Sequence, residues 1–182
     1  TGEARDVAEE LLRLARQLAN PGQLAVACGA LGSVLVTSDP NGALAALRES
    51  LALIEAGASD MIRGVVLGQM ARVHAGRGDA RGALDWLQDA INQAVQCGDR
   101  ATLFGTLEFA VATLVDIGRP TLALVAACAA ASGHWTVFGG EARAALERAI
   151  AQARCELGPE QADALWARVE ALSYEDMVDY LR

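Results

Sequence analysis

Lysine is absent from this chain of 182 residues, and all 15 basic side chains are arginine. That excludes Schiff-base chemistry on a lysine and the GxxxxGK[ST] phosphate loop, whose lysine reaches the nucleotide phosphates. Positive charge is also outnumbered, with 23 acidic residues and a formal net charge of −8. The arginines are scattered, and nucleic-acid binding, which depends on clustered positive charge, is not expected. Cysteine is sparse: Cys28, Cys97, Cys128 and Cys155 lie 69, 31 and 27 residues apart. No CxxC pair or Cys/His zinc spacing occurs, so no metal or other cofactor is expected. The thiols read as small hydrophobes in a reducing cytoplasm. No run of about 18 apolar residues is long enough to span a membrane, and no alternating β-branched run bounded by turns marks a strand. The opening TGEARDVAEE carries neither a signal peptide nor an initiator methionine, and a segment of a longer polypeptide is expected.

What remains is apolar and rich in alanine. Hydrophobic residues make up 53% of the chain, and alanine alone fills about a fifth of it, a composition that favours closely packed helices. Three segments share a 40-residue spacing: SDPNGALAALRESLA from Ser38, GDARGALDWLQDAIN from Gly78 and GRPTLALVAACAAAS from Gly118. Ala43-Leu44, Ala83-Leu84 and Ala123-Leu124 stand in register. Such a period marks stacked helical hairpins, none of which buries its apolar face alone.

The whole chain reads as a single all-α domain of about ten helices. Residues 1–20 form an N-terminal capping helix with Val7, Leu11, Leu14, Ala15 and Leu18 on one stripe and Glu3, Asp6, Glu9, Glu10 and Arg13 outward. Residues 21–131 hold three hairpin repeats, 132–140 an aromatic loop with His134, Trp135 and Phe138, and 141–182 the C-terminal capping helices. Catalysis is not expected. His74 and His134 lack acids or cysteines at ligand spacing, and His74 reads as a core histidine. The paired acids Glu9-Glu10 and Glu175-Asp176 sit near helix starts, where the helix dipole accounts for them.

Each unit resembles a tetratricopeptide-type hairpin, with links stretched beyond the usual length. Leu67, Met70, Ala71, Gly78, Ala83, Leu87 and Ala90 fill the motif best, and His74 stands where a tyrosine is usual. The resemblance implies a right-handed α-α superhelix. It also implies a concave groove lined by the first helix of each hairpin. Here that lining would be Cys28, Gly32, Val65, Gly68, Arg72, Gly105, Glu108 and Ala112, with Val65, Arg72, Glu108 and Ala112 as the candidate partner contacts. Its glycines would let a helix or extended segment approach closely.

The C-terminal stretch carries a second resemblance, in Leu157-Gly158, Glu160, Trp166 and Leu172-Ser173-Tyr174-Glu175-Asp176. It is similar to the tail of the helical region of bacterial signal-transduction ATPases of the MalT and LuxR type and their adenylate-cyclase-linked relatives in actinobacteria. This implies a non-enzymatic regulatory and protein-interaction domain, the helical sensor arm of a multidomain regulator. The alternative is a sensor that binds a small-molecule inducer in the groove. The expected partner is protein, either other domains of the parent regulator or a separate chain. A homodimer through Trp135, Phe138, Trp166 and Tyr174 is a further expectation, because these aromatics load the chain's C-terminal end.

Overall fold

Asp39 and Asp79, 40 residues apart, each begin a helix in the same way. Each carboxylate accepts the backbone N–H three residues on, Gly42 at 2.9 Å and Gly82 at 2.9 Å, which satisfies a donor that the helix itself cannot. Asn20 does the same for Gly22 and Gln23, at 3.0 and 3.1 Å. Pro21, Pro40, Pro120 and Pro159 each stand in the first turn, where a missing N–H costs nothing. At the other ends Gly78 and Gly118, again 40 apart, take φ of +76° and +68°, a left-handed turn that side chains resist.

The computed structural model describes residues 2–98, 100–132 and 140–181. These residues form α1 (Gly2–Leu18), α2 (Pro21–Leu35), α3 (Pro40–Glu55), α4 (Arg63–Gly76), α5 (Ala80–Cys97), α6 (Arg100–Asp116), α7 (Pro120–Ser132), α8 (Gly140–Leu157), α9 (Pro159–Glu170) and α10 (Tyr174–Leu181). No strand occurs among them, and no described helix is long and apolar enough to cross a membrane. The expected aromatic loop, with His134, Trp135 and Phe138, lies outside the described residues.

The closest packing joins α2 to α3, α4 to α5 and α6 to α7, which are the three hairpins. Each first helix also touches the next, α2 on α4 and α4 on α6, and each second helix feeds onto the following hairpin. This is the stacking that the period requires, and the chain is an all-α helical repeat array. Inside a hairpin, small residues admit large ones. A Cβ on Gly32 of α2 would stand 2.5 Å from Leu47 Cγ of α3, so glycine is what allows that leucine in. Leu47, Leu107 and Leu124 are fully buried, each worth roughly 1.5–3 kcal/mol. Ala43, Ala83 and Ala123, in register, are all fully buried, as the repeat predicts. Trp86 joins the front and back halves of the core, packing on both.

The two ends differ. At the back, α8 packs on α6 and α7, and α9 packs on α7. As a result every residue of α7 from Ala123 to Ala130 is buried, the pattern of a helix covered on all sides. At the front, α1 packs on α2, but Ala8 and Ala15 are the residues that it buries. The stripe expected to face the array is exposed instead: Val7 is 64% accessible, Leu11 42%, Leu14 43% and Leu18 65%. The alanine edge of the helix lets α1 approach α2, which turns the leucine edge outward.

Candidate functional site

The groove expected from the sequence is built by α4 and α6. Gly64 and Gly68, four residues apart on α4, bring the two helices close: a Cβ on Gly68 would stand 2.8 Å from Phe109 Cε1 of α6, and one on Gly64 3.9 Å from Thr106 Oγ1. The phenyl ring of Phe109 therefore lies across Gly68. Arg72, one turn further along α4, places its guanidinium 5.6 Å from the centre of the same ring and lies 3.4 Å from Gln69 Oε1. A cation over an aromatic face is attracted by the ring quadrupole. Beside this pair, Met61 is 82% exposed and Val65 59%. Ala112 is half-buried on the same helix as Phe109.

Of the candidate contacts, Val65 is open to solvent and Arg72 and Ala112 are partly so. Glu108 needs correction: it is buried, because α6 has α4 on one side and α8 on the other where an open wall was expected. Cys28 and Gly32 are likewise buried rather than lining a groove. The close approach that the glycines permit is made by the chain itself, by Leu47 on Gly32 and Phe109 on Gly68. Sequence reading missed Met61 and Phe109. The spacing of Gly64 and Gly68 was the signal that a neighbouring helix would lie there.

Trp166 and Tyr174 are held by the chain's own helices. Trp166 packs with Val125, Cys128 and Val169, and the Arg154 guanidinium lies 5.5 Å from its ring centre. Tyr174 meets Phe104 edge-on at 6.4 Å, with Arg100 4.2 Å from its ring centre. Both anchor the C-terminal helices to α6 and α7, with Ser173 capping α10 by accepting the Asp176 N–H at 3.1 Å. Trp135 and Phe138, their expected companions, lie outside the described residues.

A second concavity of about 240 Å³ lies between α5 and α7 with α6 as its floor. Leu84, Ile91, Leu114 and Val125 give it apolar walls, and Gln88 and Tyr180 supply polar groups. His74 stands apart from both concavities. Its Nδ1 lies 2.7 Å from Asp79 Oδ2, its ring meets Trp86 at 6.3 Å, and its Nε2 is buried without a hydrogen-bond partner among the described residues. It locks the end of α4 to the start of α5, as a core histidine would. Among the described residues no group of three His, Cys, Asp or Glu side chains could hold a metal ion. Compared with known proteins, the chain matches no family model, no curated protein and no solved structure.

Proposed function

We propose that this is a non-enzymatic, cytoplasmic protein-interaction domain, the regulatory arm of a larger signalling regulator, and that α4 and α6 present its partner face. The observation that carries the reading is the juxtaposition of exposed Met61 and Val65 with the Arg72 guanidinium stacked on Phe109. Large apolar side chains beside an arginine on an aromatic ring suit an amphipathic helix carrying a carboxylate. The ring orients the guanidinium, so its remaining donors can take that carboxylate in a fork.

A photo-crosslinking residue in place of Val65 tests this within the parent protein in its own cells. The expected result is one discrete adduct with a protein segment, lost when Arg72→Glu is added and not formed from the control position Asp89 on α5. Equal labelling from both positions, or labelling that ignores the arginine, would overturn the reading. The concavity between α5 and α7 supports a second reading, a sensor for a small apolar ligand with Gln88 and Tyr180 as its polar contacts. Saturable binding of indole-sized fragments, abolished by Ala126→Phe, would favour that reading over the first.

A further inference from the structure

We infer that a second copy of this chain covers the exposed face of α1, the two α1 helices packing antiparallel about a two-fold axis near Leu11. The repeat shows what that face is. Moved by the period of 40, Val7 corresponds to Leu47 and Leu87, and Leu14 to Ile54 and Ala94. Those four equivalents are 0%, 3%, 4% and 1% exposed, whereas Val7 is 64% and Leu14 43% exposed. Leu47 is covered by α2, the first helix of its own hairpin. α1 therefore stands in the register of a second helix, and packs on α2 as α3 packs on α4, with the place of its first helix open. On α2 the same vacancy leaves Val26 40% exposed where its equivalent Val66 is fully buried. An open crevice of about 440 Å³ runs between the two helices, lined by Val7, Leu11, Ala30 and Val34.

The occupant must be a helix antiparallel to α1, as the helices of each hairpin are, and α1 itself has the required pattern. Ala4, Val7, Leu11, Leu14 and Leu18 are spaced 3, 4, 3 and 4, the seam of a two-stranded coiled coil. Charge selects the antiparallel sense. Residues 2–10 hold Glu3, Asp6, Glu9 and Glu10 against Arg5 alone, while residues 11–19 hold Arg13 and Arg16 and no acid. Reversal sets the acidic half of one helix beside the arginine half of the other, and opposes the two helix dipoles. The ion pairs these groups make within one chain, Arg5 with Glu9 at 2.7 Å and Arg13 with Glu10 at 2.6 Å, are solvent-exposed and readily exchanged. Each α1 then fills the other's open first-helix place. The seam is short, on a helix about 25 Å long, and the interface lies at the small end of specific ones, which sets the dimer in the micromolar range.

Sedimentation velocity on the 182-residue chain between about 1 and 200 μM tests this. The expected result is a reversible monomer–dimer equilibrium whose midpoint rises about 100-fold or more in Leu11→Glu, since two seam leucines are lost per dimer. Leu18→Glu, at a position 65% exposed, should act in the same direction and guards against a folding defect at Leu11. Orientation is read from disulfides in a Cys97→Ser, Cys155→Ser background: Leu11→Cys should crosslink to itself and Leu18→Cys should not. A monomer throughout would overturn the proposal and leave the face to a helix from another chain. A dimer indifferent to both glutamates, or a Leu18→Cys crosslink, would overturn it too. The test touches no residue of the α4–α6 face, so its outcome is independent of the function proposed above.

Discussion

Cys28 and Cys128 are buried and Cys97 and Cys155 exposed, so one residue type has two chemistries in this chain. Burial disfavours the thiolate and pushes both buried thiols up from 9.0 to about 11, with Glu49 adding to the effect at Cys28 and Glu170 at Cys128. Two thiols should therefore react rapidly with Ellman's reagent at pH 8, and the other two only on unfolding. Four rapid equivalents would contradict the burial. The sign of the linkage follows from the same shift. The folded chain holds these two protons more tightly than the unfolded chain. Their contribution to stability is thus complete below about pH 9 and is lost as pH rises toward 11. Denaturant midpoints measured from pH 8 to 10.5 should fall, and Cys28→Ala should reduce that slope. Spacing told that these cysteines make no metal site. It did not tell which of them are buried, because that depends on which helix edge the fold turns inward.

At the scale of the helix, the join between α4 and α5 rests on Asp79. Its carboxylate accepts the Gly82 N–H and lies against His74 Nδ1, and these two contacts, the first the larger, hold its pKa below the ordinary 3.8. Glycine at 82 is required, since a Cβ there would collide with the Asp79 carboxylate and stand 2.6 Å from His74 Nδ1. Asp79→Ala should cost about 1 kcal/mol, the usual value of a lost N-cap, read as a lower denaturant midpoint at pH 7. Because the folded carboxyl is depressed, its contribution is present above the unfolded value and disappears as pH falls through the folded one. The wild-type and Asp79→Ala curves should converge there. Features of this kind were legible in the sequence: a cap, its glycine and a starting proline lie within three residues of one another. So did the hairpins, because alanine and leucine recur every 40 residues. The face of α1 was not legible. Periodicity tells that Val7, Leu11, Leu14 and Leu18 share a stripe, but not whether α2 meets that stripe or the alanines beside it. The groove failed for a related reason. A glycine says that something can come close, and only the fold says that Leu47 and Phe109 already have.

Across the whole array, stability is expected to grade from front to back. In a stack each unit is held by its neighbours, so local opening follows the number of faces that a helix has covered. α6 and α7 are covered by each other, by α5 and by the C-terminal helices, and they bury Leu103, Leu107, Val111, Leu124 and Val125 almost completely. α1 packs on α2 through two buried alanines and leaves its leucines in water. Native-state hydrogen exchange should therefore show the slowest amides between residues 103 and 130 and the fastest helical amides between 2 and 18. The gap should narrow at high protein concentration, where a second α1 covers the first, while exchange in α7 stays unchanged. Leu11→Glu should remove that concentration dependence and leave the rest of the gradient intact. If α1 in dilute solution were as protected as α6, the single-chain packing described here would not account for its stability. If its protection were low and independent of concentration, the array would be open at the front, with no second copy closing it.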